Sequence, residues 1–178
     1  MPFSKLSSSA KWCLIFSPTV VFVLQNSLQI TTVTGFSMTP TFNEIPGSTT
    51  KLLIERSGMF KLDPKNRLRV NDVIQMRSPV DPERLLIKRI KGLEGDVITP
   101  RDQDYPAKIV RVPVNHVWVE GDNSFHSIDS NTFGPVSVGL IEAIVWKRVD
   151  PSRFPYLFDL REGGREARLS LINRIDQY

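Results

Sequence analysis

The sequence predicts a mainly β fold of antiparallel strands behind one N-terminal apolar segment. Three observations predict it. Short runs rich in β-branched and apolar residues recur between residues 52 and 149, with Gly, Pro, Asn and Asp between them. Thirteen prolines spread through 178 residues argue against a long helical bundle, because each removes a backbone donor and clashes with the preceding turn. Residues 12–43 carry no charged side chain, in a chain that is 24% charged overall.

The length suits one domain and an appendage, divided as an N-terminal segment (1–30), a β domain (31–150) and a tail (151–178). In the first segment only Lys5 and Lys11 are charged before the apolar core CLIFSPTVVFVL (13–24). That core is shorter than the ~20 residues that usually span a bilayer. The uncharged flank QNSLQITTV (25–33) extends it, so a single transmembrane helix over about 11–30 is expected. Pro18 would kink such a helix, which membranes tolerate, and the lysines set its orientation. A cleaved signal peptide also fits the basic start, but 26–34 lacks a small-residue cleavage site. A soluble amphipathic segment fits least, since no charges are present.

The strands follow in order. LLIE (52–55) is one apolar run, and a basic polar loop (57–69) comes after it. VNDVIQMRSP (70–79) turns into a strand that Pro79 stops, and Asp81-Pro82 opens another turn. LLIKRIKGLEGDVIT (85–99) predicts a strand, a glycine turn and a second strand. VRVPVNHVWVEGDN (110–123) and LIEAIVWKRV (140–149) predict one strand each. After Pro151, RFPYLFDL (153–160) is aromatic, and 165–175 could form a short helix.

A net charge of +4 fits a membrane surface, an acidic partner or nucleic acid, and selects none of them. The single cysteine, Cys13, excludes an intrachain disulfide and a multi-cysteine zinc site; His116 and His126 leave little room for a histidine metal cluster.

The chemistry gathers around Gly35-Phe36-Ser37-Met38-Thr39-Pro40-Thr41. A serine is a poor nucleophile until a base takes its proton. In LLIKRIKG, alternation puts Leu86, Lys88 and Ile90 on one face. Ile87, Arg89 and Lys91 fall on the other, which reads as basic and solvent-like. A lysine on an apolar face loses proton affinity through desolvation, and a neutral amine can act as general base. Alternatively, Lys88 snorkels out at a strand end. The polar box EGDNSFHSIDSNTFGP (120–135) is rich in groups able to orient a lysine, among them Asp122, Asn123, Ser127 and Asp129. A histidine base is the other option, with His126 beside Ser127; triads, however, form in space rather than by adjacency.

Ser-Met-Thr-Pro-Thr (37–41), Asn-Asp-Val-Ile (71–74), Lys-Arg-Ile-Lys-Gly (88–92) and Gly-Asp-Asn with Ser-Ile-Asp-Ser (121–130) occur in this order. Together they resemble the type I signal peptidases, membrane-anchored Ser/Lys endopeptidases with a barrel-like β domain. HSIDSN, NTFGPVSVGL and VWVEGDN are most similar to the mitochondrial inner membrane branch. The resemblance implies Ser37 as nucleophile, Lys88 as general base and Ser127 as the hydroxyl that orients the lysine. It matches Asp122 and Asp129 to the acidic residues of the last boxes, Met38 and Pro40 to the supporting turn, and Arg89 to the arginine after the lysine. Gly35 stands where some bacterial members have a serine, so the oxyanion hole would rest on backbone N–H groups. Asn131 stands where an arginine is common, so no arginine is expected beside Asp129.

The resemblance also implies sorting presequences of intermembrane-space proteins as substrates. It implies a sister subunit as partner, a lipid bilayer beside the site, and no cofactor. The rival class is a non-catalytic anchored β module that stabilises a partner protease. A self-cleaving, DNA-binding repressor would need a helix-turn-helix where only an apolar segment stands, so no nucleic acid partner is expected. Lys61, Lys65, Arg67 and Arg69 either face lipid phosphates or form a solvated loop.

Overall fold

The computed structural model describes residues 16–17, 28–43, 47–56, 67–149 and 157–159. Most of the expected anchor, residues 57–66 of the basic loop and the helix expected at 165–175 lie outside them. No helix among the described residues is long and apolar enough to cross a membrane.

The strands are β1 (Leu28–Val33), β2 (Thr50–Glu55), β3 (Val73–Arg77), β4 (Leu85–Gly92), β5 (Val97–Ile98), β6 (Val110–Arg111), β7 (His116–Glu120), β8 (Val136–Ser137), β9 (Ile141–Val149) and β10 (Leu157–Asp159). Seven line up as β1-β2-β9-β3-β4-β7-β8, with β10 also on β9. β5 and β6 form a separate ribbon. All these pairings are antiparallel, as the short, punctuated runs predict.

Neighbouring residues on β3 and β9 fall into two different apolar clusters. Ile74, Met76, Ile141 and Ile144 pack with Leu68, Ile90, Val117, Val119 and Val136. Val73, Ala143 and Val145 pack with Val33, Met38, Phe42, Leu52 and Ile54. Successive side chains on a strand point to opposite faces, so the sheet centre is buried on both sides. Each fully buried aliphatic side chain contributes about 1.5–3 kcal/mol relative to exposure. The second cluster is the one that carries the Ser37 turn.

Three local expectations change. The sheet starts at Leu28, so residues 28–30 are strand rather than the end of a membrane span. The strand, glycine turn and second strand read from 85–99 form as β4 and β5, which do not pair with each other. Gly95 N–H donates to the Val112 carbonyl (3.0 Å) and Val112 N–H to that of Asp96 (2.9 Å), which sends β5 to β6 instead. The single strand read from 110–123 breaks into β6 and β7 at Pro113, where His116 N–H closes a turn onto the Pro113 carbonyl and Asn115 takes a positive φ of 59°. Proline has no ladder donor and asparagine tolerates the left-handed region, so the break is local chemistry. Finally, the tail adds a strand: Leu157, Phe158 and Asp159 pair with Val149, Arg148 and Lys147. In the basic loop, Arg67 pairs with Glu55 at 2.6 Å.

Candidate active site

The turn after β1 is built from its own side chains. Met38 and Phe42 are fully buried in the second cluster and pin the turn to the sheet. Phe42 N–H donates to the Met38 carbonyl (3.0 Å) and Thr39 N–H to that of Phe36 (3.1 Å). Pro40 follows a cis peptide bond within the same turn. Asn43 ties both ends together: its Nδ2 donates to the carbonyls of Val33 and Gly35, each at 3.0 Å. Ser37 is half-buried on this frame, and its Oγ has no hydrogen-bond partner among the described residues. Gly35 is exposed and has open space where a side chain would be.

Lys88 lies in the middle of β4 and is only 2% exposed. Its Nζ donates to Ser127 Oγ (2.9 Å), and Ser127 Oγ donates to Asp129 Oδ2 (2.6 Å). Burial pushes the amine down to about 8; Asp129 and Asp122 pull it back up, while Arg84 and Arg101 push it further down. The snorkelling alternative therefore does not apply. The amine makes no hydrogen bond to Ser37 here; its partner is Ser127.

Asp129 caps α1 (Ser130–Phe133), accepting Asn131 N–H at Oδ1 (3.0 Å). The same carboxylate accepts Gly121 N–H (2.8 Å) and Asn131 Nδ2 (2.9 Å). Burial alone would raise its pKa, but the bonds from Ser127, Gly121 and Asn131 outweigh it and hold the carboxyl below its ordinary range.

Arg89 corrects the reading of β4's second face. It is 3% exposed, not solvated. Its Nε and Nη2 grip Asp122 at 2.8 and 2.7 Å, and its Nη1 donates to the Asn71 carbonyl (2.9 Å). Such a fork-to-carboxylate pair is tolerable in a buried site because each of the three guanidinium nitrogens finds an acceptor. Asp122 also accepts Thr41 Oγ1 (2.6 Å), so one carboxylate joins β4, the exit of β7 and the Ser37 turn. Arg89 and Thr41 hold Asp122 below the usual carboxylate range against the opposing effect of burial.

The two halves of the site meet at Gly121. A Cβ there would collide with the Ser37 carbonyl oxygen and with Ser127 Oγ. Asn123 completes the seam: its N–H donates to the Ser37 carbonyl (3.0 Å) and its Nδ2 to that of Phe36 (3.2 Å). Gly121→Ala is therefore expected to cost about 1–3 kcal/mol by overpacking. Its larger effect falls on any reaction needing Ser37 and Lys88 in register, where a displacement of about 1 Å can cost about 10²-fold. Denaturant unfolding and a peptide-cleavage assay read the two effects separately.

Neither histidine joins this cluster. His126 is exposed, and His116 Nδ1 lies 2.8 Å from the Val114 carbonyl, beside a cavity of about 250 Å³ lined by Leu68, Leu93, Asn115 and Val138. Among the described residues, no group of three or more His, Cys, Asp or Glu is placed to hold a metal ion.

Sequence analysis places Thr41, Glu120 and Gly121 in its motifs without a role of their own, and misses Arg101 altogether. It also left Asp129 without an arginine, and the structure supplies one from elsewhere: Arg101 Nη2 stands 3.3 Å from Asp129 Oδ2.

Residues 6–106 match the signal peptidase family, peptidase S26. This chain belongs to the signal peptidase family. The chain is similar to the mitochondrial inner membrane protease subunit 2 of Schizosaccharomyces pombe, at 46% identity over 133 residues, covering 74% of this chain and 69% of the relative. The Saccharomyces cerevisiae subunit 2 is 41% identical over 143 residues, 77% of each chain. Subunit 1 of S. pombe is 39% identical over 123 residues, 69% of this chain and 74% of the relative. Within this signal peptidase chain, the family match covers Ser37, Lys88 and Arg89, while Asp122, Ser127 and Asp129 lie beyond it.

Proposed function

We propose that this chain is a membrane-anchored serine endopeptidase that uses Ser37 and Lys88 to remove sorting presequences from proteins delivered to the mitochondrial intermembrane space. The observation that carries the proposal is the state of Lys88: a buried amine with a depressed pKa, aimed by a Ser127–Asp129 pair, across Gly121 from the Ser37 turn.

Neutral Lys88 takes the Ser37 hydroxyl proton as Oγ bonds to the scissile carbonyl carbon. Backbone N–H groups of the Ser37 turn face the oxyanion that forms, since Gly35 brings no hydroxyl. Collapse of the tetrahedral species breaks the C–N bond, and the ammonium of Lys88 returns the proton to the departing amine. A water, deprotonated by Lys88, then attacks the acyl-enzyme, releasing the presequence carboxylate and restoring the Ser37 hydroxyl. Hydrogen bonds between nucleophile and base often close only when substrate is bound, which accommodates the present Lys88–Ser127 bond. Met38, Pro40, Arg89 and Asp122 act by fixing the frame.

The proposal extends to a single anchor over about 11–30 in the inner membrane, the β domain facing the intermembrane space, and a heterodimer with inner membrane protease subunit 1. Relatives named for both subunits support that pairing. The Lys88–Ser127 bond favours the rival reading, a non-catalytic partner-stabilising module, to the extent that it leaves Ser37 unpaired. N-terminal proteomics of mitochondria carrying the natural chain or Ser37→Ala separates the two. Presequence-bearing N-termini should accumulate with Ser37→Ala; identical N-termini in both would leave only the module.

A further inference from the structure

We infer that Arg101 is a positioning residue for Lys88: by clamping Asp129 to the end of β7, it fixes the Ser127 hydroxyl on which the lysine amine rests. This rests on the Ser37/Lys88 reading for its consequence in catalysis, but not for its effect on the lysine itself.

Arg101 spans two segments that must stay in register. Its Nη2 reaches Asp129 Oδ2 (3.3 Å) and the Gly121 carbonyl (3.4 Å), while its Nε reaches Glu120 Oε2 (3.3 Å). Its backbone N–H donates to Asn131 Oδ1 at 2.6 Å. Asn131 in turn gives its Nδ2 to Glu120 Oε1 (3.0 Å) and Asp129 Oδ1 (2.9 Å). The loop carrying Arg101 is held down by Tyr105, whose ring meets Trp118 edge-on at 5.6 Å. Arginine, not lysine, suits this place because one planar fork serves three acceptors at once.

The consequence for Lys88 follows from donor direction. Ser127 has one proton, and it goes to Asp129. Its lone pairs are therefore left for Lys88 Nζ. Release of Asp129 frees the Ser127 hydroxyl to rotate, and the lysine loses its fixed acceptor. The charge of Arg101 acts on the lysine separately. The groups facing Lys88 are Asp129, Arg84, Arg101 and Asp122, and Arg101 is one of the two that hold its proton affinity down. Without Arg101, Asp129 is less neutralised and the amine keeps its proton to higher pH.

The test uses the full-length chain with its partner subunit and a peptide spanning a presequence cleavage junction. For Arg101→Ala, kcat should fall about 10-fold with KM within about twofold, and the acidic limb of the kcat profile should move up by about half a pH unit. Arg101→Lys, which keeps the charge, should return the limb toward its natural position. A loss of equal size at every pH, or no change, overturns the inference. Side-chain NMR of Lys88 reads the same point without catalysis: its titration midpoint should rise in Arg101→Ala, and an unmoved midpoint overturns the inference whatever Ser37 does. Ser37→Ala in the same assay tests the underlying reading alone, since an active Ser37→Ala would sink that reading and leave the NMR result standing.

Discussion

Ser37→Ala is expected to stop precursor cleavage, lowering kcat by at least about 10⁴-fold. The reason is chemical: alanine offers no atom to form the acyl bond, and no other hydroxyl is pinned to the same turn with its oxygen unpaired. The fold should hardly notice. Ser37 Oγ has no hydrogen-bond partner among the described residues, so its removal leaves no buried group unsatisfied. Met38 and Phe42, not Ser37, anchor the turn. The variant should unfold within about 0.5 kcal/mol of the natural chain. Peptide cleavage and denaturant midpoints measured on one preparation check both halves; cleavage at a natural rate would remove Ser37 from the mechanism.

Lys88→Met should lower kcat by about 10²–10⁴-fold through loss of the general base. Lys88→Arg should do no better, since a guanidinium stays charged at any working pH. In the natural chain the rate should climb about tenfold per pH unit up to about 8, where the neutral amine becomes the main form. Stability also rises with pH, but over a higher window than activity. The folded pKa of Lys88 lies below its unfolded value of 10.5, so below pH 8 the native state holds a proton that burial disfavours. That cost shrinks as pH rises through 8 and is gone by the unfolded pKa. Lys88→Met removes it, and at pH 7 the variant should be more stable by about 1–3 kcal/mol. An inactive variant with a raised unfolding midpoint is a signature that a disrupted fold cannot imitate.

What the sequence discloses about this site is what short-range chemistry controls. Lys88 stands out because a cation sits between Leu86 and Ile90, and alternation alone says that face is apolar. Arg89 is misread by the same rule, because its partner Asp122 is 33 residues away and nothing local announces it. Arg101 is more hidden still. It lies in TPRDQDYP, a string that reads as turn, and the pairing of β5 with β6, the Tyr105–Trp118 contact and its bond to Asn131 bring it to Asp129. Gly121 looks like one glycine of a turn; that two chain segments close on it is a fact of packing. The strand plan shows the same division. β-branched runs mark β2, β3, β4 and β9, whereas β1 is masked by a sequence with no charge to set it apart from the apolar segment before it. The break that separates β6 from β7, and the pairing of β5 with β6, depend on which carbonyl a turn N–H finds, and that choice is made across the chain.

β9 is paired along one edge with β2, and along the other first with β3 and then, at Lys147–Val149, with β10. β3 is too short to cover the whole of that second edge. The three residues Leu157–Asp159 act as a hem, occupying backbone groups that would otherwise invite a stray strand from another molecule. Residues 157–159 thus guard the longest described strand against self-association, a burden that bears on solubility rather than on chemistry.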